Sequence, residues 1–218
     1  MRIGVLGTGT VGRTLGGKLV ELGHEFRMGS RAAGNENAVE WAKSAGTNAS
    51  EGTFAEAAEF GELLINATSG NVSVDALRMA GAENLAGKVL IDVSNALDFG
   101  GGGPPVIGVS VDDSLGERIQ AAFPDARVVK ALNTMNASVM VAPDSLDESS
   151  SVFVCGDDAG AKAQVSELLE TFGWLPTDII DLGDISAARG AELYVALWVR
   201  LMGALGTPQF NIKITGAG

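Results

Sequence analysis

The chain has 218 residues, 46% hydrophobic and 19% charged, which excludes a disordered chain and suits one full domain with a small addition. Fifteen Lys and Arg against 27 Asp and Glu leave a net charge of −12, which repels phosphate backbones and argues against nucleic acid as a partner. One cysteine, Cys155, and one histidine, His24, exclude an intrachain disulfide, a cysteine-rich zinc site and a multi-histidine centre.

The apolar run at 1–7 is too short for a signal peptide or a membrane span, so a cytoplasmic protein without membrane partners is expected. Residues 3–7 read as a buried parallel strand, and 10–23 as a helix with Leu15, Leu19 and Leu22 at helical spacing and Gly23 placed to end it. A strand at 25–29, helices at 37–45 and 53–59, a strand at 63–67, a helix at 74–80 and a strand at 89–93 follow. Beyond a glycine-proline loop at 100–105, a helix is expected at 115–123 and a strand at 127–131. The polar stretch 143–151 breaks the alternation. A strand at 152–155, an amphipathic helix at 159–172 and a strand at 177–182 then resume it. Residues 187–205 form a helix with little polar face, which is either an internal core helix or a dimer interface. Strand and helix alternating in this way imply an α/β fold, a parallel sheet covered on both faces.

Gly7-Thr8-Gly9-Thr10-Val11-Gly12 matches G-x-G-x-x-G directly after a strand and directly before a helix. In that setting the glycines serve a tight turn, a close approach of backbone to pyrophosphate, and close packing of helix on strand. The helix N-terminus adds free N–H groups and partial positive charge. At the end of the second strand, where an NAD site wants a carboxylate, the sequence has Gly29-Ser30-Arg31. Arg31 can clamp a 2′-phosphate bidentately and Ser30 can donate to it, which points to NADP.

The glycine loop, Gly29-Ser30-Arg31, Val129-Lys130-Ala131-Leu132-Asn133-Thr134, Val154-Cys155-Gly156-Asp157-Asp158 and the tail Phe210-Asn211-Ile212-Lys213-Ile214 together resemble the NADPH-dependent coenzyme F420 reductase family over nearly the whole chain. A related nucleotide-binding domain occurs in some metalloreductases. The resemblance implies a Rossmann-type, doubly wound, mainly parallel sheet over 1–142. It also implies a small C-terminal part over 143–218 that completes the sheet and carries the acceptor and dimer surface. It further implies a homodimer and direct hydride transfer between NADPH and a deazaflavin. By position, Thr8 to Val11 cradle the pyrophosphate, Ser30 and Arg31 hold the 2′-phosphate, and the backbone of Met135 and Ala137 meets the nicotinamide carboxamide. Phe210 corresponds to a position whose N–H contacts the deazaflavin. The chain departs from the family in three places: Asn35 stands for a further lysine, Asn133 for a histidine of archaeal members, and Ser69-Gly70-Asn71 for a Pro-Trp pair.

Thr68 and Asn95 follow parallel strands and are expected to line the pocket, where ligands of such sheets bind. Lys130 is expected to keep its head in solvent, His24 and Cys155 to be structural, and Asp157-Asp158 to cap a helix. Loop 100–105 is either a flap over the pocket or a solvated loop. No residue stands out as an acid-base catalyst, which suits hydride transfer between two ring systems and counts against alcohol dehydrogenation. Two alternatives to a deazaflavin reductase remain: an NADPH-dependent flavin or metal reductase, and a non-catalytic NADP-binding sensor.

Overall fold

The computed structural model describes residues 1–98, 100 and 105–216. In chain order it runs β1 (Arg2–Leu6), α1 (Thr10–Glu21), β2 (Glu25–Ser30), α2 (Glu36–Ala45), β3 (Ala49–Thr53), α3 (Phe54–Phe60), β4 (Leu63–Asn66), α4 (Ser73–Ala80), α5 (Ala82–Leu85) and β5 (Val89–Asp92). An antiparallel pair, β6 (Leu97–Asp98) and β7 (Val106–Ile107), precedes α6 (Leu115–Ala122) and β8 (Arg127–Ala131). The chain continues through α7 (Ala137–Val141), β9 (Val152–Cys155), α8 (Ala159–Thr171), β10 (Ile179–Asp181) and α9 (Ala188–Leu205).

Eight strands form one sheet in the order β10-β9-β8-β5-β4-β1-β2-β3. Neighbours are parallel except β8 and β9, which run antiparallel with Lys130 opposite Cys155. The fold is therefore a Rossmann-type α/β sheet, mainly parallel and doubly wound. Strand alternation sends Ile3 and Val5 into one core with Leu15, Phe26 and Val129, and Leu6 into a second with Leu77, Leu90 and Val128. Burial on both faces explains why β4 and β5 are apolar almost throughout.

Helix ends follow local chemistry. Gly23 (φ +83°) closes α1, with its N–H on Val20 O and the His24 N–H on Leu19 O. Thr53 and Glu56 form a capping box on α3, and Asp158 caps α8 through the Ala161 N–H.

Strand β3 and helix α7 were not expected from the sequence. Strand β3 is a sheet edge that pairs only with β2, so its residues carry no apolar alternation. Helix α9 is not internal to the chain. Ala188, Ala191, Val195 and Val199 are buried, while Leu197 and Leu205 are 54% and 56% exposed. The polar stretch after α7 is tied to the C-terminal tail, with the Ser151 N–H on Ile212 O and Asn211 Nδ2 on Ser151 O. The flap expected at 100–105 lies largely outside the described residues. Among those residues, no helix is long and apolar enough to cross a membrane.

Candidate functional site

The strand order reverses at β1. From there the chain passes to β2 and β3 on one side and to β4, β5 and β8 on the other. The carboxyl ends of β1 and β4 splay at such a point and open a crevice. Here the crevice is a cavity of about 800 Å³ lined by Gly7, Thr8, Gly9, the segment 30–35, Ala67, Thr68, Ser69 and one face of α4. The glycine loop fits a pyrophosphate in three ways. Gly7 takes φ +124°, and a Cβ there would lie 2.5 Å from Ala67 O. A Cβ at Gly12 would lie 2.4 Å from Gly7 O, so only glycine lets α1 begin this close to β1. Gly9 lines the cavity and its missing Cβ would meet nothing within 4 Å, which is the open approach a phosphate needs. No side chain caps α1 and no acid stands in its first turn, so its N–H groups remain available to an anion.

At the end of β2, Arg31 is exposed and lines the cavity. Ser30 is buried, and its hydroxyl donates to Ala32 O at 2.5 Å, so its proton is not free for a ligand. Asn35 Oδ1 accepts from the Ala38 N–H as the α2 cap, and Glu51 accepts from the Gly34 N–H. These contacts fix the loop that carries Arg31. The 30–35 segment of the lining carries no carboxylate, and the carboxylate in the lining is Asp75 of α4.

A second cavity of about 260 Å³ shares Ala67, Thr68 and Ser69 with the first and adds Val11, Ser94, Asn95, Asn133 and Met135. Among the described residues, no titratable side chain lines it. Asn95 and Asn133 lock together: Asn95 Nδ2 donates to Asn133 O at 2.8 Å and Asn133 Nδ2 to Asn95 Oδ1 at 3.1 Å. Asn133 Nδ2 also reaches Ala191 O, tying this wall to α9. Leu132, just before it, has φ +64°, a strained conformation that turns the chain sharply out of β8. The Ser69-Gly70-Asn71 loop is fastened to the β5 end. The Gly70 N–H donates to Asn95 O and Asn71 Nδ2 to Leu97 O, and a Cβ at Gly70 would lie 2.4 Å from Ala96 N.

Lys130 corrects the sequence reading. Its head is fully buried, not solvated, and donates to Asp92 Oδ2 at 2.8 Å, to Ser94 O at 2.6 Å and lies 2.9 Å from Glu192 Oε1. Burial alone would lower its pKa, but the Asp92 and Glu192 carboxylates outweigh burial and hold it above the ordinary lysine value. Glu192 in turn accepts from the Leu115 and Gly116 N–H groups at the start of α6. Asp92 Oδ1 accepts from Asn66, whose own Oδ1 accepts from the Thr68 hydroxyl. A buried polar chain thus runs from the cavity wall to α6 and α9. Cys155 is also buried, its thiol pushed up to about 12 chiefly by desolvation.

The crevice therefore gathers Gly7, Thr8, Gly9, Ser30, Arg31, Asn35 and Thr68 in one cavity, and Val11, Thr68, Asn95, Asn133 and Met135 in the adjoining one. Thr10, Gly12 and Ala137 lie in the first turns of α1 and α7, outside both linings. Phe210 is also outside. Its ring stacks on Trp198 at 5.5 Å, and its N–H donates to Pro208 O, a turn that must open before that group can serve a ligand. The sequence reading missed the face of α4, Asp92 and Glu192.

The family described as NADP oxidoreductase, coenzyme F420-dependent, matches residues 2–96. A crystal structure from Arthrobacter sp. FB24, provisionally described as an F420-dependent NADP-reductase, is 50% identical with a TM-score of 0.92, covering 98% of this chain and 99% of that one. The chain is also 30% identical over 193 residues to rat metalloreductase STEAP3, and 34% identical over 109 residues to human metalloreductase STEAP2. These matches take in 88% and 50% of this chain but only 36% and 19% of the metalloreductases' own length.

Proposed function

The chain belongs to the coenzyme F420-dependent NADP oxidoreductase family, and from that premise we propose that it moves hydride between NADPH and a deazaflavin of the coenzyme F420 type. The observation that carries the cofactor half is the cavity with Gly9 open at one end and Arg31 at the other. Bound NADPH supplies the hydride. The N–H groups of residues 8–11 hold its pyrophosphate, and Arg31 clamps its 2′-phosphate on a loop stiffened by Glu51 and Asn35. Val11, Asn95, Asn133 and Met135 would form the wall for the nicotinamide, and the Asn95–Asn133 lock holds the two loops of that wall together. With no titratable group on that wall, the protein's part is to stack two rings and exclude water, and the accompanying proton comes from solvent.

The segment 143–218 supplies the acceptor side and, through α9, the contact with a second copy in a cytoplasmic homodimer. A flavin or metal-chelate acceptor is the second reading. It is favoured by the likeness to metalloreductases and by the Ser69-Gly70-Asn71 loop in place of Pro-Trp. NADPH oxidation by the purified protein, run in parallel with F420, FMN, FAD and ferric chelates, tests both. Turnover with F420 well above the others is expected. Turnover with flavins or ferric chelates alone moves the acceptor, and tight NADPH binding without turnover on any of them supports a sensor.

A further inference from the structure

We infer that Asp75 selects the purine base of the dinucleotide, admitting a 6-amino purine and rejecting a 6-oxo one; this rests on the NADP reading above. Val72, Asp75, Ala76 and Met79 recur at the i, i+3, i+4, i+7 spacing of one helix face and line the larger cavity together. Such a stripe ordinarily packs into a core, as Leu77 and Ala80 on the same helix do at 0% exposure. Val72 and Met79 are instead each 51% exposed, apolar surface that the protein itself leaves uncovered. Across the cavity stands the loop of Arg31 and Ala32. An apolar wall facing a guanidinium-bearing loop suits a flat aromatic ring between them.

With pyrophosphate at α1 and the 2′-phosphate at Arg31, the base is the part of the cofactor that reaches this end of the cavity. Asp75 is the one charge on the apolar wall. Arg78 holds its Oδ1 at 2.8 Å, which leaves Oδ2 to a ligand. An ionised carboxylate only accepts hydrogen bonds, so it pairs with the 6-amino group of adenine and repels a carbonyl oxygen in the same place. Asp75 is exposed, so water shares its free oxygen and the discrimination is modest: the amino group gains a charge-assisted hydrogen bond that a carbonyl oxygen cannot form.

The test is the dissociation constant of NADPH and of its hypoxanthine analogue, which carries a 6-oxo group, for the unmodified protein and for Asp75→Asn. Asp75 is 74% exposed and its ion pair is a surface one, so the variant keeps the fold, which a thermal melt checks. A preference for NADPH of about tenfold is expected in the unmodified protein, falling to about threefold or less in the variant. Removing the charge changes phosphate attraction equally for both ligands, so the ratio isolates the base. The same ratio in both proteins, or none in the unmodified one, overturns the role of Asp75 while leaving the NADP reading intact. Failure of NADPH to bind at all overturns that reading and this inference with it.

Discussion

Lys130 sits between two buried carboxylates, and its removal leaves Asp92 and Glu192 facing each other without a cation. Lys130→Met is therefore expected to lower stability by about 3–5 kcal/mol in urea unfolding, and a loss under about 1 kcal/mol would contradict the account. The pH dependence has a definite sign. The folded pKa lies above the ordinary lysine value of 10.5, so the contribution is fully present below that value and is withdrawn as pH rises through the folded one. Stability should fall on the alkaline side of pH 10.5 more steeply than in Glu192→Gln, where the cation has lost one partner. The sequence carried a signal for this cluster: Asp92 ends the apolar β5 and Lys130 is next to last in β8, both buried there, and charges in such places must pair. Glu192 carried less of a signal, because a glutamate on a helix is ordinarily a solvated residue. Cys155 was legible as a buried residue. With its thiol at about 12 it should resist a thiol reagent at pH 8 in the native protein and react fully once unfolded. Arg31→Ala should weaken NADPH by about 10–100-fold and NADH by much less, read from fluorescence titration.

Elements that announce themselves in sequence are those whose own residues decide them. Helix α1 begins at the glycine motif and ends at Gly23, and its boundaries follow from those residues alone. Helix α3 is fixed by its capping box, so Thr53→Ala should cost about 1 kcal/mol by thermal or urea unfolding without changing ligand affinity. Strand β3 has no comparable mark, since Ala49 to Gly52 contribute neither β-branched residues nor alternation, and it forms because β2 offers an unpaired edge. Helix α7 is five residues long and starts at the Asn136 cap, too short for periodicity to show. That Asn95 and Asn133 line the smaller cavity was legible by position, since both follow strand ends. Their mutual lock and the left-handed Leu132 depend on pairing between loops 38 residues apart, which no local pattern reveals.

At the scale of the whole molecule, α9 joins the site to the surface. One face meets Asn133 and Lys130, while Leu197 and Leu205 stand exposed on the other. A second copy covering that face is the expected state, and Leu197→Glu should shift a dimer to monomer by light scattering at micromolar concentration. A monomeric unmodified protein under those conditions would contradict it. The same apolar composition made the helix look buried on most sides, because composition alone does not show which of its apolar residues meet the rest of the chain. Everything proposed about chemistry rests on the crevice from Gly7 to Arg31 being an NADP site. Titration of the unmodified protein with NADPH and NADH in parallel tests that most directly. NADPH is expected to bind about tenfold tighter or more, the contribution of a charge-assisted clamp on one phosphate. Equal affinity for the two cofactors, or binding of neither, would contradict it.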